Sequence, residues 1–210
     1  MKYKVMIVED QTMPRELFEL RVQSSEHFEV ALSIDNAALT DVYCLRFPVD
    51  LILMDVVTRG GESGLDAAER IKRALPQIKI IIVTSMPECS YLSRAREIGV
   101  ESFWYKEEQR ESLLDVMERT MAGESVYPDA TPELQLGLAS SYKFTDRELE
   151  VLREMTGGDT NQEIAERLHM SVATVKTHIL NMLEKTGFRN RTELAVRARE
   201  SGLVILNRKN

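Results

Sequence analysis

At 210 residues, with 43% hydrophobic and 29% charged side chains, the chain has apolar material for two small cores, and its composition excludes an intrinsically disordered protein. No apolar run has the length of a membrane span, and the opening MKYKVMIVED meets Glu9 and Asp10 too early for a secretory leader, so a cytoplasmic protein without membrane contact is expected. The net charge of −7 is uneven: residues 1–140 hold 24 acids and 15 bases, residues 141–210 hold 10 acids and 12 bases, which points to two domains with different partners.

The front part alternates. Lys4–Val8 reads as a short strand, and Pro14–Val22, with Leu17, Phe18 and Leu20, as a helix. Val30–Ile34 is strand-like, and 37–46 is a helix stopped before Pro48. Then come the apolar run Leu51–Met54, a helix over 64–75, the run Lys79–Thr84, a helix over 88–98 ending at Gly99, the strand Ser102–Tyr105 and a helix over 112–121. Near-continuous apolar strands alternating with helices predict a five-stranded parallel sheet, doubly wound, with ligands gathering at the carboxyl ends of its strands. Residues 123–141 lack periodicity, contain Pro128, Pro132 and Gly137, and read as a linker, with a short helical turn possible over 131–138. The rest is all helix. Thr145-Asp-Arg-Glu148 and Thr160-Asn-Gln-Glu163 are capping boxes, Ser171 caps a third helix and Asn190 opens a fourth. Cys44 and Cys89 stand far apart, and His27, His169 and His178 are scattered, which speaks against a disulfide or a zinc cluster.

The strand ends carry the chemistry. In a parallel sheet Glu9 and Asp10, Asp55, Thr84 and Lys106 share one rim. Three carboxylates at one place repel and call for a hard cation with oxygen ligands, with Mg²⁺ the natural choice. Lys106 adds positive charge and Thr84 a hydroxyl, so that an anionic phosphoryl group is tolerable there. Each residue alone has an ordinary explanation: a helix-start acid, a strand-end hydroxyl, a solvated lysine. The joint placement is what carries weight.

VMIVED, LILMD, IIIVTS and SFWYK, in that order, make residues 1–122 resemble the receiver domain of two-component response regulators. The resemblance implies that Asp55 is phosphorylated by a sensor histidine kinase, and that Glu9, Asp10, Asp55 and the carbonyl of Val57 hold Mg²⁺. It further implies that Lys106 pairs with the phosphoryl oxygens and that Thr84 and Phe103 form the switch pair. Two features depart from the pattern. Thr58-Arg59 stands where Met-Pro is common, with Gly64 nine residues after Asp55 instead of eight, and Lys106 is followed by Glu107 instead of proline.

FTDRELEVL, NQEIAERL, MSVATVKTHILNMLEKTG and RTELAVRARESGL make residues 144–204, within a domain expected over 142–210, resemble the LuxR-type helix-turn-helix of the NarL/FixJ class. Ile164, Ala165, Leu168, Val175 and Ile179 have the spacing of its small core. The helix after Ser171 is then the recognition helix, with Lys176, Thr177, Thr174, Asn161 and Asn181 expected at DNA and Leu180 where a basic residue is frequent. Lys185 is weaker as a DNA contact. Leu194, Ala195 and Ala198 are expected either as a dimer seam on a palindromic double-stranded site or as intramolecular core. The reading is a phosphorylation-controlled, homodimerising transcription regulator and not an enzyme. Its rivals are a regulator that works without phosphate and an aspartyl-phosphate phosphatase, the latter disfavoured because Val57 occupies its second aspartate position.

Overall fold

The computed structural model describes residues 2–59, 62–85, 89–106, 111–129 and 131–204, and leaves the side chains of Cys89 and Ser90 undescribed. Gly60 and Gly61 of the loop after Asp55, and Glu107, lie outside these residues. The described residues form two compact units, and the chain passes between them at 129–131.

The first unit is a parallel sheet of β1 (Tyr3–Val8), β2 (Phe28–Ile34), β3 (Leu51–Met54), β4 (Lys79–Thr84) and β5 (Ser102–Tyr105), in the order β2-β1-β3-β4-β5. Its helices are α1 (Thr12–Gln23), α2 (Thr40–Arg46, after a 3-10 turn at Ala37–Leu39), α3 (Gly64–Ala74), α4 (Cys89–Ile98) and α5 (Leu113–Met121). Strand residues alternate between faces. Val5, Ile7, Leu51, Leu53, Ile81, Val83 and Trp104 pack with Phe18 and Val22 of α1 and Val116 and Met117 of α5. Met6, Ile52, Ile80 and Ile82 take the opposite face and are equally buried. Apolar side chains on both faces explain why these strands read as unbroken hydrophobic runs. The order reverses between β1 and β3, and such a reversal opens a crevice at the carboxyl ends of the strands.

The second unit holds α6 (Asp146–Thr156), α7 (Asn161–Arg167), α8 (Val172–Thr186) and α9 (Arg191–Glu200). Both predicted capping boxes form, at Thr145/Glu148 and Thr160/Glu163, and Ser171 caps α8 by accepting from the Thr174 amide at 3.0 Å. Ile164, Ala165, Val175 and Ile179 are buried and Leu168 packs partly buried beside them. The turn from α7 to α8 is tight. The Met170 amide reaches the Ala165 carbonyl at 2.9 Å, and His169 takes φ 53°, the sole non-glycine with positive φ among the described residues.

The expected linker is shared between the units. Residues 124–127 lead from α5, where the Glu124 amide donates to the Arg119 carbonyl, to β5, where Val126 and Tyr127 dock, while 131–141 belong to the helical unit. There the chain forms a small antiparallel pair, β6 (Gln135–Leu136) with β7 (Ala139–Ser140), in place of the helical turn considered from sequence. Leu136 and Ala139 enter the helical core, and the Leu138 amide donates to the Thr186 carbonyl at 2.9 Å.

Gly64 fixes how α3 leaves the rim. A Cβ at this position would overlap the Asp55 carbonyl oxygen, while its own amide donates to the Val56 carbonyl at 2.8 Å. Gly64→Ala is therefore expected to destabilise the α/β unit by about 3 kcal/mol. Urea unfolding followed by Trp104, the chain's single tryptophan, measures it. An unchanged midpoint would mean that the loop yields without cost.

Candidate functional site

The rim predicted from the strand ends exists. The Glu9 amide donates to the Ile34 carbonyl at 3.0 Å and the Asp55 amide to the Val8 carbonyl at 2.9 Å, so both acids are fixed by the sheet ladder as it ends. Candidate ligand oxygens of Glu9, Asp10 and Asp55 lie within 4.8 Å of one another. Glu9 is 0% and Asp55 4% exposed, and Asp10 is half-buried.

Lys106 resolves the repulsion. Leaving β5, it sets its ammonium 2.5 Å from Glu9 Oε2 and 2.7 Å from Asp55 Oδ2. Its amide donates to the Thr84 carbonyl at 2.9 Å, which ties the β4 and β5 ends together. Burial pushes the Asp55 carboxyl up to about 6, with Lys106 opposing and Glu9 adding to the rise. Burial works against the Lys106 charge, but Asp55 and then Glu9 hold its pKa above the usual lysine value.

Thr84 is buried at the end of β4 and Phe103 is 1% exposed in β5, its ring 5.0 Å from that of Tyr105. Val57 is half-buried and forms an isolated bridge to Ser63. The unusual loop has its own fastening. Thr58 Oγ1 accepts from the Ala37 amide at 3.0 Å and donates to the Glu62 carbonyl at 3.3 Å. Arg70 of α3 pairs with Glu62 and with Asp41 of α2. Thr58 thus ties the loop after Asp55 to the start of the turn at Ala37 through hydrogen bonds. Sequence reasoning missed this role, and also Arg15, whose guanidinium donates to the Glu9 carbonyl at 2.9 Å. The signal for Arg15 was its place in the first turns of the helix that follows the acids.

On the helical unit, Thr174, Lys176, Thr177, Leu180 and Asn181 are exposed along α8. Thr174 Oγ1 also contacts Ser171 Oγ at 2.8 Å, and Thr177 donates to the Ala173 carbonyl at 3.0 Å. Asn161 is half-buried, and its side-chain oxygen accepts from Arg191 at 2.9 Å, a partner not foreseen. Lys185 turns back into the unit, 2.8 and 2.6 Å from the oxygens of buried Glu148 and 2.8 Å from the Lys143 carbonyl. Despite burial, Lys185 and the Thr145 amide hold the Glu148 carboxyl below the usual range. The dimer seam expected from Leu194, Ala195 and Ala198 needs correction. Leu194 and Ala198 are 0% exposed in the core of their own unit and Ala195 packs partly buried against it, because that face of α9 closes onto α6 and α8. Thr192, Val196, Arg197, Arg199 and Glu200 are the residues α9 presents to solvent.

A family model described as the response regulator receiver domain matches residues 5–118, and one described as bacterial regulatory proteins, luxR family, matches residues 142–198. The response regulator protein VraR of Staphylococcus epidermidis is 33% identical over 214 residues, covering 97% of this chain and 100% of that one.

The chain belongs to the response regulators.

It carries a receiver domain followed by a LuxR-type DNA-binding domain. VraR of Staphylococcus aureus is 31% identical over 212 residues, with 97% and 100% of the two chains covered. Among solved structures, RcsB of Salmonella enterica serovar Typhimurium, bound to promoter rprA with the phosphomimetic BeF₃⁻, aligns with a TM-score of 0.62 at 20% identity, covering 93% of this chain and 98% of that one. At that identity the likeness establishes shared architecture. Among the described residues of this response regulator no helix is long and apolar enough to cross a membrane.

The raised Asp55 pKa gives a test. Burial disfavours the ionised acid in the folded receiver relative to the unfolded chain, so stability is lost as pH rises from the ordinary aspartate value of 3.8 to about 6, and the cost is complete and constant above that. Asp55→Asn is neutral at every pH. In chelator it is expected to raise the receiver's Tm at pH 8, with the gain shrinking between pH 6 and 4. Thermal unfolding across pH measures this, and a pH-independent gain would refute the burial argument.

Proposed function

We propose that Asp55 is the phosphoacceptor of this response regulator and that its phosphorylation controls DNA binding in the cytoplasm. One observation carries the reading: a buried carboxylate at a strand end, facing Lys106 at 2.7 Å, with two further acids beside it. An Asp55 oxygen attacks the phosphorus of a phosphohistidine on a sensor kinase. The P–N bond breaks, its electron pair stays on the imidazole, and an acyl phosphate forms on Asp55. Lys106, 2.7 Å from Asp55 Oδ2, would pair with the new phosphoryl oxygens, and Thr84 and Phe103, both buried, would act as the switch pair.

The donor set fits Mg²⁺: three carboxylates, all oxygen, converging within 4.8 Å. Glu9, Asp10, Asp55 and the Val57 carbonyl would hold the ion. When bound, Mg²⁺ supplies the charge neutralisation that lets an anionic donor approach an acidic pocket.

For the helical unit we infer that α8 enters the major groove of double-stranded DNA, with Lys176, Thr177 and Thr174 at its exposed face, Asn181 further along and Asn161 at the start of α7. A homodimer on a palindromic site accords with the compact unit, its α9 surface at Val196 and Arg197 being available once Leu194, Ala195 and Ala198 are committed inward.

Incubation with a small-molecule phosphodonor and Mg²⁺, followed by intact-mass measurement, is expected to give one phosphoryl adduct on the wild type and none on Asp55→Asn. An adduct that persists in Asp55→Asn would place the acceptor elsewhere. Lys176→Ala is expected to weaken DNA binding for all sequences alike and to lower the slope of log K against log salt by about 1. An unchanged slope in a salt titration would remove Lys176 from the phosphate contacts.

A further inference from the structure

Residues 124–127 raise a question that the phosphoacceptor chemistry leaves unanswered. β5 is the last strand of the sheet, so the donors and acceptors on its outer edge need partners from outside the ladder. The segment after α5 supplies a partner for one of them and for the adjoining Ser102 side chain. The Phe103 amide donates to the Val126 carbonyl at 2.8 Å, and the Val126 amide donates to Ser102 Oγ at 3.1 Å. Ser102 is buried, and its hydroxyl is also 2.7 Å from Thr120 Oγ1 of α5.

Tyr127 then touches three parts of the receiver. Its hydroxyl donates to the Val100 carbonyl, just before β5, at 2.7 Å. Its ring centroid lies 6.3 Å from that of Phe103. The Arg96 guanidinium of α4 sits 4.8 Å from the same ring, within cation–π range. Phe103 is nearly fully buried with this segment seated beside it. The other end of β5 delivers Lys106 to Asp55 and Glu9.

A four-residue strand gripped at one end by the acidic site and along its edge by residues 124–127 has few ways to adjust one grip without the other. We infer that residues 124–127 form a strap whose seating on β5 is coupled to the state of Asp55, and that Tyr127 is the positioning residue that makes the coupling. Phe103 inward and the strap seated occur together here, so a phosphoryl group that draws Lys106 and holds Phe103 inward also fastens the strap. Because the chain leaves the receiver through this strap, its seating sets where the connection to the DNA-binding domain begins. The inference rests on the reading of Asp55 as phosphoacceptor. Coupling of this kind is reciprocal, so whatever loosens the strap also alters the state of β5.

The test uses the full-length protein, Mg²⁺ and a small acyl phosphate, with intact mass and amide hydrogen exchange read by NMR on the same samples. The proteins are wild type, Tyr127→Ala, and Tyr127→Phe, which keeps the ring and loses the bond to Val100. Phosphorylation is expected to slow exchange at the Phe103 and Val126 amides about tenfold in the wild type, within the usual span of intramolecular coupling. In Tyr127→Ala the adduct still forms, both amides exchange faster before phosphorylation, and most of the slowing is lost. Tyr127→Phe falls between, and the amides of α8 do not change. Equal slowing in wild type and Tyr127→Ala would reduce Tyr127 to ordinary packing and overturn the inference, as would a wild-type adduct with no change at either amide. A wild type that takes no adduct from any donor, kinase included, overturns the phosphoacceptor reading, and mass alone reveals that case.

Discussion

Two carboxylates end adjacent strands with almost no contact with water, and the rest of the receiver depends on how that charge is balanced. Water is not available to solvate Glu9 and Asp55, so a cation must come from the protein or from solution. Lys106 provides the first, and it arrives from β5, two strands beyond β3. That distance along the sheet makes the strand order a chemical requirement. With β4 between them, the Thr84 carbonyl can bind the Lys106 amide and hold the lysine backbone at the rim. The close pass of α3 at Gly64 keeps the Asp55 backbone from drifting away from its partner.

The helical unit repeats the same physics for a different end. Glu148 is a buried acid that closes a capping box at the start of α6 by accepting from the Thr145 amide, and it pairs through both oxygens with Lys185 near the end of α8. Removing one member of such a pair leaves an unpaired buried charge, so α8 is bound firmly to α6. The helix so held carries Thr174, Lys176 and Thr177 on an exposed face. The basic excess of the segment 141–210 is small. Attraction to an anionic partner therefore rests on where the cations sit.

Much of this was readable because local physics and tertiary structure agreed. Apolar runs located the five strands of the parallel sheet, though not the short β6–β7 pair, and the Thr145 and Thr160 boxes placed helix starts to within a residue. The acidic rim followed from strand ends alone. What sequence did not reveal was non-local. Lys185 looks like any surface lysine until Glu148 is brought to it across 37 residues. Arg191 and Asn161 meet across 30. Leu194 and Ala198 carry the same apolar pattern whether they face a second copy or their own core, and only the packing of α9 on α6 and α8 decides. Residues 124–127 were opaque for another reason: two of their hydrogen bonds are made by backbone groups, which leave no side-chain pattern to read.

The strap along β5 also bears on solubility. An open parallel sheet has two bare edges, and each is a template on which another chain can add a strand. On the β5 side the Phe103 amide, which would otherwise offer itself to such a strand, is already bound to Val126. At the β2 side the register shifts between Val5 and Met6, where Ala31 of β2 is left without a partner in β1, which breaks the regularity of the ladder. A receiver whose strap has lifted therefore exposes a strand edge, and the span of time it spends in that form sets its exposure to misassembly as well as to its proper partners.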